Sequence, residues 1–410
     1  MSEMSEASIN ANQLLFTLAG IGLIGILGAY FSAKIKIPDV VIYLLAGIVC
    51  GPGMLGIINL EDFSVANEII FTFGSAFILF EGGREIKLKV LNHVKVTVGL
   101  LSTVGVVVST IIVGGAAAYV FDFPIMIGML LGAIIASTDP ATLIPVFSQI
   151  SIRNKLKQTV VSESAFNDAI GAILVSSIIG VITVGEFSFS QTSINLLIMI
   201  VVGTLVGLVT GIINLAFTSD RFYGIFSEFT PIISVLTVIF AYELADRFHG
   251  SGFMAVFIAG LLAGNKKMIG MWIPEEYYKK GIHFTENIAI LCRMSIFVVL
   301  GTQVDLGAVV KYGLPSFGIV IILMFIARPI VVLLSGVPDR KAKWEWKELL
   351  FMMWVRETGV IPAALSGMVV SMKIPGYEII SAVVFMTILV TLVLQASTTK
   401  MVAEKLDVLE

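Results

Sequence analysis

The chain has 410 residues, of which 57% are hydrophobic and 13% charged, with mean hydropathy +0.99 and a formal charge of −3. A soluble protein this apolar would have no polar surface to show to water. Most basic residues sit in loops and form no patch, which points to no nucleic-acid partner, and no metal-ligand spacing, nucleotide loop or nucleophile elbow supports an enzyme or calls for a cofactor.

A helix needs about 20 apolar residues to cross the hydrocarbon core of a bilayer. Residues 1–13 carry Glu3 and Glu6 but no Lys or Arg, so they lack the basic start of a signal peptide, and span 1 (12–33) is expected to stay in the mature protein. Span 2 (38–54) and span 3 (65–81) follow, the latter ending on Glu81, which reads as an interfacial residue. Span 4 covers 90–121. Span 5 (124–149) is broken by Ala136-Ser137-Thr138-Asp139-Pro140 and by Pro145. Span 6 (157–184) opens with Ser162-Glu163-Ser164-Ala165-Phe166-Asn167-Asp168. Spans 7 (192–217), 8 (226–246) and 9 (250–265) are plainer. Span 10 (284–303) carries Arg293, expected to meet a lipid head group or Glu286, and span 11 (312–336) carries Arg328. Span 12 (347–371) is broken by Arg356-Glu357-Thr358-Gly359 and Pro362, and span 13 (376–399) completes an all-α, polytopic membrane protein of thirteen spans. The segments are twice the length of a barrel strand and do not alternate, which excludes a β-barrel. Cys50 and Cys292 both fall in apolar segments and read as small core residues.

Orientation follows from the basic residues of alternate loops. One side holds twenty Lys and Arg, the other only Arg247, Lys311 and Lys373. The first side is therefore cytoplasmic, with the N-terminus outside and the C-terminus inside, in the plasma membrane. Proline frees backbone groups that lipid cannot satisfy, so the breaks in spans 5 and 12 must be buried in protein. These spans lie seven apart and enter from opposite sides. The chain thus divides into a first repeat (12–184), a linking span (192–217) and an inverted second repeat (226–399). Interrupted helices at matching positions of inverted repeats point to a transporter's binding site.

On a helix, Glu163 and Asn167 share one face, and Ser164 and Asp168 the neighbouring one. Carboxylates at this depth are costly against lipid and must face the interior. A hard cation takes oxygen ligands, which carboxylate, amide, hydroxyl and freed carbonyl groups supply. Burial also favours the neutral form of a carboxyl, so one group can hold either a cation or a proton. That competition is the minimal chemistry of an antiporter. Glu163 reads as the structural partner of Arg328, and Asp168 as the acid left to titrate. Asp139 suits both a helix cap and an ion ligand. A gated cation channel is the reading from another class, less suited to buried carboxylates with arginine partners.

Thr138-Asp139-Pro140-Ala141-Thr142-Leu143-Ile144-Pro145, followed by Glu163-Ser164 and Asn167-Asp168, resembles the NhaP-type sodium/proton antiporters of the cation/proton antiporter superfamily. Ile37-Pro38, Gly47 and Gly51-Pro52, then Phe80-Glu81-Gly82-Gly83, Ala327-Arg328-Pro329 and Ile361-Pro362-Ala363-Ala364-Leu365 extend the resemblance over nearly the whole chain. The resemblance implies that Asp168 binds Na+ or H+, with Thr138, Asp139 and Ser164 lining the site. Asn167 stands where the electrogenic branch has an aspartate, which implies electroneutral exchange, and Glu163 is expected to be held ionised by Arg328 and Asn167. Spans 4–6 and 11–13 are expected to form an ion-carrying core and the rest a scaffold and homodimer surface, in contact with lipid. A K+/H+ antiporter is the alternative within the class. One departure is plain: the family usually places Gly-Leu-Arg-Gly or Gly-Pro-Arg-Gly before the span 12 break. Here Thr358 occupies the arginine position and Arg356 lies two residues earlier, to pair with Glu357 or Asp139 or reach the cytoplasmic interface.

Overall fold

The computed structural model describes residues 6–35, 39–59, 64–138, 147, 151–184, 189–219, 226–270 and 273–409. In chain order the helices are α1 (Glu6–Ile35), α2 (Asp39–Cys50), α3 (Ser64–Glu85), α4 (Leu88–Ser102), α5 (Val104–Phe121), α6 (Ile125–Ala136), α7 (Asn154–Val184), α8 (Phe189–Thr218) and α9 (Thr230–Arg247). They continue as α10 (Gly252–Gly264), α11 (Glu275–Thr302), α12 (Leu306–Ile322), α13 (Arg328–Gly336), α14 (Trp346–Trp354), α15 (Val360–Ser371), α16 (Tyr377–Val390) and α17 (Ser397–Leu406). Two π-helical turns, Leu323–Ala327 and Thr391–Ala396, join α12 to α13 and α16 to α17. Among the described residues strand-type pairing is limited to one isolated bridge, Ile152 with Leu409.

This is an all-α, multi-pass membrane protein. Among the described residues, nine helical segments are long and apolar enough to cross a membrane, and four shorter apolar helices (α2, α6, α10 and α15) stand at the places of spans 2, 5, 9 and 12. Local chemistry starts several of them. Ser251 accepts the Met254 N–H at 3.1 Å to open α10, Asp305 accepts from Gly307 and Ala308 to open α12, and Glu345 and Glu348 form a reciprocal capping box on α14.

Several helix ends differ from the sequence expectation. Span 3 runs on to Glu85, so Glu81 is one turn inside the helix, buried, and ion-paired to Arg84 at 2.5 Å rather than interfacial. Span 10 begins nine residues early, at Glu275, because a charged first stretch with its Glu275–Lys279 and Glu276–Lys280 pairs extends the helix without adding hydropathy. Span 4 is two helices that meet at Thr103. Arg293 donates to Asp39 at 3.2 Å, tying α11 to α2.

Helices α4–α7 and α12–α17 pack mainly among themselves, as do α1–α3 and α8–α11; across the boundary α15 meets α3 and α11, and α7 meets α3, α8 and α10. Close approach depends on small residues, as expected where lipid is as apolar as the helix surfaces. A Cβ on Gly132 would stand 2.6 Å from the Thr110 carbonyl oxygen, and one on Gly47 would overlap the Val298 carbonyl, so only glycine lets α5 meet α6 and α2 meet α11 this closely.

Candidate functional site

Helix α6 ends at Ala136, and Ser137 leaves it in extended conformation (φ −72°, ψ 153°), so the chain breaks in the middle of span 5. Thr138 then lies against α7. Its N–H donates to Asn167 Oδ1 at 3.1 Å, and Asn167 Nδ2 donates to Thr138 Oγ1 at 2.8 Å. The hydroxyls of Thr138 and Ser164 share a hydrogen bond of 2.7 Å, and Ser137 Oγ donates to the Asn167 carbonyl at 3.2 Å. Gly171, one turn along α7, leaves room for the Ser137 hydroxyl, which a Cβ there would overlap. Ser137, Thr138, Ser164 and Asn167 are all at most 3% exposed. Asp168 follows Asn167 on the same helix, one turn after Ser164, and is 4% exposed. The structure thus brings Thr138, Ser164 and Asn167 into one hydrogen-bonded group on the helix that carries Asp168. Asp139 lies outside the described residues.

The second acid of α7 has a different environment. Arg328, the first residue of α13, grips Glu163 with both terminal nitrogens: Nη1 meets Oε1, and Nη2 donates to Oε2 at 3.0 Å. The same guanidinium donates from Nε to the Met352 carbonyl at 2.9 Å and from Nη2 to the Val355 carbonyl at 3.2 Å. Arg328 therefore joins α7 to the end of α14. The expectation that Asn167 also holds Glu163 is corrected: Asn167 turns its amide to Thr138, accepting from the backbone N–H that the unwound span 5 leaves open and donating to the hydroxyl.

Span 12 breaks between α14 and α15, where residues 355–359 run in non-helical conformation. Arg356 projects from this stretch and is 2% exposed, so it does not reach an interface. Its Nη2 donates to the Ile135 carbonyl at 2.5 Å and to the Ala136 carbonyl at 3.0 Å, and its Nη1 to Thr358 Oγ1 at 3.4 Å. A helix C-terminus carries unpaired carbonyls and about half a negative charge. Both half-helices that end inside the protein are met there by a buried guanidinium, α6 by Arg356 and α14 by Arg328. Glu357 is fully buried and accepts from Thr399 Oγ1 at 3.4 Å.

Span 13 supplies partners that sequence reasoning missed. Thr391 Oγ1 accepts the Thr358 N–H at 3.1 Å, and Gln395 Nε2 donates to the Trp354 carbonyl at 2.6 Å. The signal was present as polar residues four apart, Thr387, Thr391, Gln395 and Thr399, in a largely apolar span. Glu81 does not join this centre; with Arg84 and Thr285, bonded at 2.6 Å, it forms a separate cluster between α3 and α11.

The model of the transmembrane sodium/hydrogen exchanger family matches residues 21–405. The chain is 31% identical to the Na(+)/H(+) antiporter 1 of Methanocaldococcus jannaschii, over 96% of each chain. It is 29% identical over 94% of its own length to the K(+)/H(+) antiporter NhaP of Alkalimonas amylolytica, and spans 65% of that protein. Its fold is similar to that of the solved sodium proton antiporter MjNhaP1 from M. jannaschii at pH 8, with TM-score 0.83 and 30% identity, over 96% of this chain and 99% of that one.

Proposed function

This chain belongs to the sodium/hydrogen exchanger family, and we propose that it exchanges Na+ for H+ one for one, through a single carboxyl, Asp168, exposed in turn to the two sides of the membrane. The observation that carries this reading is the buried group of Thr138, Ser164 and Asn167, packed at the end of a half-helix on the helix that bears Asp168. Hydroxyl, amide and carboxylate oxygens suit a hard cation, and a carboxylate that holds the cation cannot hold the proton. Binding of one ion therefore requires release of the other.

The other buried groups support a single exchanging acid. Position 167 is an amide and cannot titrate. Glu163 is engaged on both oxygens by Arg328, and together they order the site rather than exchange ions. Asp139, beside Thr138 in sequence, is a further candidate ligand.

Spans 4–6 and 11–13 form the moving core, and the remaining spans form the scaffold and the surface of a homodimer embedded in lipid. The short helices α2, α6, α10 and α15 stand at spans 2, 5, 9 and 12, each pair seven spans apart, which supports two inverted repeats. The protein sits in the plasma membrane with its N-terminus outside and C-terminus in the cytoplasm. Similarity to a protein named a K(+)/H(+) antiporter favours K+ as the alternative cargo.

The test is cation-driven dequenching of a pH dye in proteoliposomes, scanned over Na+, Li+ and K+. Wild-type protein responds to Na+. Asp168→Asn folds and elutes as wild type but gives only the background signal, because an amide can ligate a cation weakly but cannot cycle a proton. Sustained Na+-driven proton movement by Asp168→Asn would remove Asp168 from this role.

A further inference from the structure

Span 13 holds none of the residues assigned to the exchange site, yet it carries four buried polar side chains spaced four residues apart. Thr387, Thr391, Gln395 and Thr399 are each at most 1% exposed. In an α-helix residues four apart drift around the axis by about 40° per step. The wider π turn at Thr391–Ala396 slows that drift, so the stripe keeps facing span 12.

Two members of the stripe bracket the span 12 break. Thr391 Oγ1 donates to the Thr387 carbonyl of its own helix at 2.8 Å, which leaves its lone pair to accept the Thr358 N–H at 3.1 Å. Gln395 meets the Trp354 carbonyl on the other flank at 2.6 Å. Between these anchors lies Arg356, whose guanidinium meets the Ile135 and Ala136 carbonyls. The next residues, Ser137 and Thr138, are the ones bonded to Asn167 and Ser164. A continuous set of hydrogen bonds therefore runs from span 13 to the wall of the site.

We propose that Thr391 and Gln395 are positioning residues for cation binding: they fix the span 12 break, and through Arg356 they set where α6 ends and where Thr138 stands. This inference rests on the reading of the exchange site given above. Removing the Thr391 hydroxyl strands a buried N–H and lets the break relax. Arg356 then loses its alignment on α6, and the oxygens around Asp168 spread. The proton-carrying acid itself is untouched, so the loss falls on cation affinity.

Thr387 provides the control. It is as deeply buried as Thr391, but among the described residues its hydroxyl bonds only within its own helix, donating to the Val383 carbonyl. Initial rates in proteoliposomes against Na+ concentration are compared for wild type, Thr391→Val, Thr391→Ser and Thr387→Val. Thr391→Val raises the apparent KM for Na+ roughly five- to tenfold with the maximal rate within about twofold of wild type, as expected for one stranded buried donor. Thr391→Ser restores the KM, and Thr387→Val leaves it unchanged. If Thr391→Val does not yield a monodisperse protein, Gln395→Met, which removes the donor to Trp354, carries the same test with the same KM shift. An unchanged KM, an equal shift in Thr387→Val, or no rescue by serine overturns the inference. Those results alongside an inactive Asp168→Asn would sink this inference alone, whereas an active Asp168→Asn would sink the reading beneath it.

Discussion

Arg328 makes four hydrogen bonds at once, two to Glu163 and two to the Met352 and Val355 carbonyls. Each group in that set is buried, so removing either charge leaves the other without compensation. Arg328→Met or Glu163→Gln alone is expected to cost roughly 3–5 kcal/mol, because a stranded buried charge cannot be rehydrated. The double variant is expected to lose clearly less than the sum, a coupling that thermal unfolding in detergent can measure. Additive losses would show that the pair contributes no mutual stabilisation. At this scale the sequence revealed the acids and the arginines, since ionisable residues inside apolar spans are few. It did not reveal the carbonyls. Which backbone groups lie open depends on where each broken helix ends, and neither Arg328 nor Arg356 shows its carbonyl partners by spacing alone.

At the scale of single elements, the apolar centre of each span was legible and its ends were not. Glu275–Lys280 continues α11 through intrahelical ion pairs, a contribution that hydropathy does not register. The π turns of spans 11 and 13 were equally hidden; in span 13 the turn carries Thr391 and Gln395, which bond to span 12. The turn after α10 makes a prediction of its own. Lys266, outside the membrane-spanning segments, is buried; that burial, with repulsion from Lys267 and Arg84, pushes its ammonium down to about 7. In the unfolded chain the same group keeps its proton to the ordinary lysine value of 10.5. Between those values the unfolded state binds more protons, so this group makes stability rise with pH across the window and is most costly below it. Lys266→Met should therefore be more stable than wild type near pH 6.5, and the difference should shrink toward pH 9.5 as wild type loses the buried charge. A difference in melting temperature that stays constant or widens with pH would contradict this.

For the whole molecule, the places of the spans and the two broken helices could be read from the sequence, because bilayer thickness and backbone satisfaction leave few alternatives. Which helices meet between the two bundles, α15 with α3 and α11, and α7 with α3, α8 and α10, could not, since side-chain packing decides which helices touch. That division is the arrangement that the proposed movement of a core against a scaffold requires. One carboxyl that exchanges one cation for one proton moves no net charge, so charge movement is the most direct test of the proposed exchange. Proteoliposomes on a solid-supported membrane, given a Na+ jump at constant pH, should show pH-dye exchange but no transient current, and a potassium diffusion potential set with valinomycin should leave the rate unchanged. A clear transient current together with a rate that follows the imposed potential would mean that more than one proton returns for each cation, and that a second acid shares the work of Asp168.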